Sequence, residues 1–504
     1  MTTLHRRKEP GARRIRLQPT RLTQTFGALL GGQIGGRLVR LIYVLVLARL
    51  LDPFELGIYF YGIGIYVALL GLAVFGQGTL LAARVPQRPG AAASWFRYSL
   101  AIRVMATVVA ALAGLAFVLI QETAGQPRLV VTFFLGALLF RSFVSWVREA
   151  HVALEQAGWI PRYETSFRAL EATAGIALVF YELGVAWLAA LHCLVWALEA
   201  SACARLAARS GRIALRPAFR WRLMRPMLLL SIWYGLSVGL LMVFAQASLV
   251  ALRWLGLDLA GIGQYGIALQ GYFALLLVPA VLATALVPAL ARARKLNNAG
   301  DHEAIGALIR WIFAGGLLIG VVVEGYGPWA IKLALGPEFA MVAKNFSVLA
   351  WGLGANAATI VMIQSLNALG AKIRAAAIAL VMVAAQLAFL SVLYGTLGVE
   401  AAPVGVLAGA FAGFGVAALA SRGPAQISGF GWWLKPPLLV GCAFVLMRGF
   451  DISPQIMAPI SLVVLLAGMF VLRLTTRQEL AYVTQRFGHM RRGVTDADRH
   501  VESN

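Results

Sequence analysis

Two arginines lie near the middle of the first long apolar stretch of the chain. Residues 26–50 are long enough to cross a bilayer, since about 20 apolar residues suffice, yet this stretch contains Arg37 and Arg40. These two are three residues apart and Gln33 lies four before Arg37, so all three side chains share one face of a helix. A charge at the bilayer centre costs at least about 2.5–3.5 kcal/mol. We therefore expect this face to meet an anionic ligand. Guanidinium groups match the geometry of phosphate oxygens, so a phosphate group would suit this face.

Two further arginines, Arg103 and Arg141, lie in the third and fourth apolar stretches, each about two helical turns from an end. They are candidates for the same substrate-binding site. At that depth a long side chain can also reach the lipid headgroups, so both interpretations stay open. For Arg37 and Arg40 the competing interpretation is a structural one, in which both bond helix carbonyls or Tyr43.

Acidic residues inside the apolar stretches are few. Glu171, Glu199 and Glu324 are the candidates, and we expect Glu324 to pair with a nearby arginine. A cation-coupled drug exporter needs deep carboxylates to hold protons, sodium or a cationic drug, whereas here the deepest charges are positive. His192 could relay protons, but a lone histidine is more often a packing residue, and we expect that role here.

The composition is that of a membrane protein with many spans. Of its 504 residues, 60% are hydrophobic and 13% charged, and the mean hydropathy is +0.79. Reading apolar runs of spanning length predicts an all-α polytopic fold with about 14 transmembrane helices. The predicted helices begin near Phe26, Gly57, Tyr98, Leu129, Arg162, Gly184, Pro226, Gly261, Ile305, Glu338, Ala371, Gly398, Trp433 and Gln455.

The net charge of +23 would suggest nucleic acid as the partner of a soluble chain. Here, however, the basic residues are concentrated in alternate connections, such as residues 6–21 and 205–225, while the opposite connections, such as residues 52–55, carry almost none. The positive-inside rule explains this pattern by topology and places both termini in the cytoplasm. We therefore predict no nucleic-acid partner.

The long basic connection divides the first twelve helices into two sets of six. We predict a basic N-terminus (1–25), a first half (26–224), a second half (225–421), two further helices (422–473) and a cytoplasmic tail (474–504). A weak internal repeat supports a duplication, because Arg49, Asp52 and Gly57 in the first half are echoed by Arg253, Asp258 and Gly263. Six helices per half would make the repeats parallel and form two lobes around a central cavity.

No catalytic, metal or cofactor motif is present in the sequence. There is no phosphate-binding Walker loop, no HExxH and no paired cysteine cluster. A membrane-embedded glycosyltransferase or polymerase would need a long loop bearing acid/base residues, and none is found. We therefore expect a transporter that is not an enzyme and binds no cofactor or metal.

Three short turns resemble those of a known family. The segment Ala48-Arg49-Leu50-Leu51-Asp52-Pro53-Phe54-Glu55-Leu56-Gly57-Ile58-Tyr59 is similar to the junction of helices 1 and 2 in the lipid-linked oligosaccharide and polysaccharide flippases, which belong to the multidrug/oligosaccharidyl-lipid/polysaccharide exporter superfamily. Gly336-Pro337-Glu338-Phe339-Ala340 resembles the junction before helix 10. Tyr394-Gly395-Thr396-Leu397-Gly398-Val399-Glu400-Ala401-Ala402 resembles the junction before helix 12.

The resemblance implies a 14-helix carrier in a bacterial inner membrane that works by alternating access. Its substrate would be an undecaprenyl-diphosphate-linked sugar repeat, moved to the periplasmic leaflet for exopolysaccharide, capsule or O-antigen (lipopolysaccharide) assembly. Membrane lipids would surround it, and polysaccharide polymerase and glycosyltransferases would be its partners. A cation-coupled multidrug exporter and a lipid II flippase of the same superfamily remain the alternatives.

Overall fold

The computed structural model describes residues 35–36, 38–87, 89–154, 156–276, 299–420, 441–442, 445 and 453–471. Within these ranges the regular structure is helical, without a strand. The helices, numbered along the chain, are α1 (residues 38–50), α2 (Pro53–Val74), α3 (Gln77–Arg84), α4 (Ala92–Gln121), α5 (Gln126–Ala153), α6 (Ile160–Phe180), α7 (Val185–Ser210), α8 (Trp221–Trp254), α9 (Leu259–Leu275), α10 (Ala299–Leu335), α11 (Ala340–Trp351), α12 (Leu353–Ala368), α13 (Lys372–Leu397), α14 (Ala401–Ala420) and α15 (Pro454–Val471).

These helices lie where the hydropathy pattern predicts membrane spans. In the described part of the chain, seven helical stretches are long and apolar enough to cross a membrane, and the bent pair of Pro337–Trp351 and Leu353–Ala368 makes up to eight. The all-α, polytopic membrane fold is therefore confirmed. The span predicted near Trp433 and the predicted start near Phe26 lie outside the described residues. The predicted domain boundaries stay predictions.

Two turns repeat the same capping geometry, one in each half. The Oδ1 atom of Asp52 accepts a hydrogen bond from the Glu55 N–H at 2.8 Å, and that of Asp258 accepts one from the Gly261 N–H at 3.0 Å. Each aspartate therefore satisfies a main-chain donor at the start of a helix, α2 or α9. This shared geometry supports the internal duplication. We call the side of the helix bundle that carries both turns the Asp52 face, and the opposite side, at residues 211–220, the Arg220 face.

Helix α2 joins the two halves by packing against α8 and α9. Glycines make this approach close. A Cβ atom added at Gly57 would collide with the main chain of Leu259, and one at Gly71 with the main chain of Gly239. Small residues let membrane helices approach until main-chain atoms touch, which replaces the hydrophobic drive that lipid cannot supply.

Two arginines tie the halves together at the Asp52 face. Arg253, in the last turn of α8, donates from Nε and Nη2 to the two carboxylate oxygens of Glu122, both at 2.8 Å. In the other half Arg49, at the end of α1, donates to the carbonyls of Ala334 and Leu333 at the end of α10. We name these contacts the arginine clasps. Each starts at the end of the first span of one half and reaches the end of the third span of the other.

Replacing Gly57 by alanine should destabilise the folded protein, because the new methyl group would push α2 away from the Leu259 main chain. We expect a lower thermal midpoint of the detergent-solubilised protein. Gly415→Ala is the matched control, since Gly415 also lies in a helix and has no atom within 4 Å of its added Cβ. Alanine is about 1 kcal/mol better than glycine in a helix, so the control should keep or raise the midpoint. Equal effects of both changes would contradict this account of the seam.

Breaking the Arg253–Glu122 clasp should also lower stability. Glu122 is 5% exposed, so Arg253→Gln leaves a buried carboxylate without its cation. Because the Arg253 side chain is 26% exposed, we expect about 1–3 kcal/mol, below the 3–5 kcal/mol of a fully buried pair. A double-mutant cycle with Glu122→Gln, measured as thermal midpoints, should show strong non-additivity. The exposed Arg162→Gln should leave the midpoint unchanged, and additive effects at the clasp would refute the coupling.

Candidate functional site

The structure brings two of the predicted site residues together and separates a third. Arg40 on α1 and Arg141 on α5 are close enough to interact electrostatically, and both are partly buried. Arg103 lies elsewhere, on α4. Gln33 and Arg37 lie outside the described residues, so their substrate-binding roles stay predictions.

Arg103 is enclosed in protein. Only 1% of it is exposed, and it forms an ion pair with Glu149 of α5. Its main-chain carbonyl accepts from the Thr107 hydroxyl at 2.7 Å, and that hydroxyl also contacts Ser142 Oγ at 2.6 Å. This environment holds α4 against α5.

Arg141 lies among aromatic groups. Its Nη1 donates to the Tyr66 hydroxyl at 3.0 Å, and its guanidinium carbon is 5.2 Å from the Tyr66 ring centre and 5.1 Å from that of Trp196. Among the described residues no carboxylate forms an ion pair with it. Cation–π contacts stabilise a positive charge without neutralising it, so the charge of Arg141 remains available to an anion.

Arg40, on α1, is the second arginine of this site without an ion pair among the described residues. It interacts electrostatically with Tyr59, Glu171 and Arg141, and within the described residues it forms no ion pair shorter than 4 Å. Tyr43, one turn further along α1, packs against Gly175 of α6. α1 and α6 therefore approach closely next to Arg40.

A network of ion pairs surrounds these two arginines. Glu199 of α7 is fully buried and accepts from both Arg148 of α5 and Arg168 of α6. Arg168 also pairs with Glu171, while Arg148 pairs with Glu164 at 3.2 Å. The three carboxylates of the network are thus already engaged by arginines.

His192 has partners on both ring nitrogens. The indole Nε1–H of Trp196 donates to His192 Nε2 at 3.1 Å, so this nitrogen must be the unprotonated acceptor, since an indole can only donate. The proton then lies on Nδ1, which faces the Glu171 carboxylate. This geometry describes a neutral imidazole that orients Glu171 within the network. The sequence correctly suggests a satisfied histidine but gives no sign of its two partners.

The network contains more positive than negative groups. We name as the first-half cluster its four arginines and three glutamates, Arg40, Arg141, Arg148, Arg168, Glu164, Glu171 and Glu199. Glu171 lies nine residues, or about 14 Å, from the end of α6, which is near the middle of the bundle. The cluster carries one net positive charge, and Arg40 and Arg141 are its two arginines without an ion pair among the described residues, so the cluster can bind an anion. No group of three His, Cys, Asp or Glu side chains in the part of the chain described could hold a metal ion.

Removing the shared carboxylate should harm the fold more than removing Arg141. Glu199→Gln leaves Arg148 and Arg168 partly unpaired in the interior, at a cost of about 3–5 kcal/mol for a broken buried pair. Arg141→Gln loses one hydrogen bond and two ring contacts. We expect a low monodisperse yield for Glu199→Gln in size-exclusion chromatography and a near-normal yield for Arg141→Gln. The reverse order would show that Arg141 is the structural group.

Searches by sequence find no matching family model and no matching curated protein. Solved structures do match. The lipid II flippase MurJ in an inward closed conformation has a TM-score of 0.65 at 11% identity, covering 90% of this chain and 99% of that one. An inward-facing multidrug resistance MATE family transporter of the MOP superfamily has a TM-score of 0.59 at 16% identity, covering 82% and 98%.

A third similar structure is a MOP superfamily transporter from Pyrococcus furiosus, reported with a binding pocket of reverse polarity and a suggested different function. Its TM-score is 0.58 at 16% identity, covering 83% of this chain and 96% of that one. Because these sequence identities are low, the likeness shows a shared fold alone. This chain therefore shares the fold of these solved structures, which are described as a lipid II flippase and two transporters of the MOP superfamily.

Proposed function

We propose that this protein is a flippase for an undecaprenyl-diphosphate-linked oligosaccharide, moved from the cytoplasmic to the periplasmic leaflet of a bacterial inner membrane. The Asp52 face would be periplasmic and both termini cytoplasmic. The observation that supports this most directly is the pair Arg40 and Arg141, which are partly buried and form no ion pair with a described carboxylate, while Glu171 interacts with Arg40 from a longer distance.

A diphosphate supplies what these arginines lack. Guanidinium groups bind phosphate oxygens in a bidentate manner, and they stay charged when water is removed. A membrane-embedded charge without an ion-pair partner is retained where it meets a ligand or water. Glu171 and Glu199 hold the remaining arginines in place, so the diphosphate would meet a preformed site rather than a collapsed ion pair.

The same network argues against a cation-coupled drug exporter. Its deep carboxylates, Glu171 and Glu199, are engaged by Arg168 and Arg148. A cationic drug would have to displace an arginine from each of them. MATE transporters nevertheless share the fold, so the experiment below includes an organic cation.

A lipid II flippase is the second candidate, because a structure with that function covers 90% of this chain. Lipid II also carries a diphosphate, so the cationic pair fits both substrates equally. The two differ in their sugars. Under the first candidate, glycosyltransferases and a polysaccharide polymerase would supply and consume the substrate.

Flipping by purified protein in liposomes tests the proposal. The probe is a fluorescent undecaprenyl-diphosphate-linked oligosaccharide, and the readout is its protection from a membrane-impermeant quencher. Arg40→Gln and Arg141→Gln should each slow flipping about tenfold or more, because a hydrogen bond to a charged group is worth about 1.5–3 kcal/mol. Arg162→Gln, exposed and outside the cluster, is the matched control.

Three outcomes separate the candidates. Flipping of the oligosaccharide lipid but not of fluorescent lipid II is expected, and it should be competed by undecaprenyl diphosphate. Preference for lipid II would select the second candidate. Export of ethidium with normal rates in both arginine variants would overturn the flippase proposal.

A further inference from the structure

A cavity lies between α10 and α11 in the second half, apart from the first-half cluster. Its volume is about 470 Å³, within the range of small-molecule sites. It is lined by Glu324, Pro328, Ile331, Lys332, Gly336, Pro337, Phe339, Ala340, Ala343, Lys344 and Ser347. The turn at Pro337–Phe339 closes it on the Asp52 face.

The proline explains why the helices separate here. Pro328 lies inside α10, and it has no N–H to donate to the carbonyl of Glu324 one turn before. Glu324, Pro328 and Lys332 follow at four-residue spacing and share one side of α10, while Ala340, Ala343 and Ser347 share one side of α11. The cavity is thus a groove between one face of α10 and one face of α11, two helices that are joined by the turn at Pro337–Phe339.

Two polar groups lie in its interior. Glu324 is 8% exposed, and its carboxylate accepts from the Trp351 indole at 3.2 Å. Ser347 is 4% exposed, and its hydroxyl has no hydrogen-bond partner in the part of the chain described. A buried hydroxyl without a partner costs roughly 1–3 kcal/mol, and a polar group of a ligand in the groove would offset this cost.

Two lysines stand nearer the turn. Lys332 and Lys344 are exposed, and Lys344 forms an ion pair with Glu400. A lysine can only donate hydrogen bonds, and a carboxylate can only accept them. A cation would suit Glu324 but meet Lys332, and an anion would meet the opposite difficulty.

We infer that this groove binds a neutral saccharide. A sugar hydroxyl both donates and accepts, so a saccharide can offer suitable partners to the Glu324 carboxylate, the Ser347 hydroxyl and the Lys332 ammonium group. The apolar walls, including Phe339 and Ile331, suit the C–H faces of sugar rings, and the volume suits one or two rings. The inference rests on the proposed function only for the source of the sugar, which is either the transported repeat unit or a free saccharide outside the membrane.

Ligand-observed saturation-transfer NMR on the full chain in nanodiscs tests this, with preparation free of maltoside detergents. The probes are lactose, N-acetylglucosamine, butylammonium and glucose 6-phosphate. We expect saturable signals from the two neutral sugars, weakened at least fivefold in Ser347→Ala and in Glu324→Gln. Ser365→Ala should bind normally, because its hydroxyl is buried and bonded to the Val361 carbonyl outside the groove.

A space-filling pair guards against a merely misfolded variant. Ala343→Trp should fill the groove and abolish sugar binding, whereas Met341→Trp, at an exposed position of α11 outside the lining, should not. Saturation by butylammonium or glucose 6-phosphate alone, or sugar signals that are absent or equal in all variants, would overturn the inference.

Competition then identifies the source. Displacement of lactose by the oligosaccharide lipid, but not by undecaprenyl diphosphate, assigns the site to the transported sugar. Lactose that neither lipid displaces assigns it to free saccharide. Arg141→Gln should leave lactose binding intact, so failure of the flippase proposal and failure of this inference are distinguishable.

Discussion

A guanidinium group that leaves water needs an anion, and this need organises the first half of the protein. Transfer of an unpaired ion into an apolar interior costs several kcal/mol even after relaxation. Glu199 supplies the anion for both Arg148 and Arg168, and it thereby links α5, α6 and α7 through one buried carboxylate. Glu149 supplies the anion for Arg103. Because each of these three arginines has a carboxylate within ion-pair distance, the partial neutralisation of Arg40 and Arg141 is a distinct feature of the site.

The join between the halves combines a close-packed seam with charged contacts at one end. Along α2 the glycines bring main chains into contact, and such packing is lost over a very short separation. The arginine clasps lie at the Asp52 face. Any motion that opens this face must break the Arg253–Glu122 ion pair and separate the Arg49 side chain from the carbonyls of Ala334 and Leu333. The arginine clasps therefore stabilise the conformation seen here by contacts that are polar and reversible.

Hydropathy and capping residues predict most of this fold from the sequence, because both act over a few residues. The spans follow from apolar length, and the Asp52 and Asp258 turns follow from their spacing. The cluster is less accessible. Apart from Arg168 with Glu171, its ion pairs join residues 16 to 51 positions apart, such as Arg148 with Glu164 and with Glu199, and no local pattern encodes which helix faces which. Arg40, Glu171 and Glu199 could be named as charges within apolar stretches, but the arginines that Glu171 and Glu199 engage could not.

The two halves differ in chemistry although they share a repeat. Some described side-chain pairs in the interior of the second half are neutral, as in Asn356 with Tyr272 at 2.7 Å and Tyr265 with Ser248 at 2.8 Å, whereas the first-half cluster is built from ion pairs. A duplicated scaffold that binds two identical ligands would have no reason to diverge in this way. A scaffold that binds one amphiphile, with an anionic segment joined to neutral sugars, would have a reason to diverge. Desolvating the anionic segment needs cationic partners, whereas desolvating the sugars needs neutral hydrogen-bonding partners. In the proposed flippase, this asymmetry would allow the charged and uncharged parts of one elongated substrate to be held by different halves.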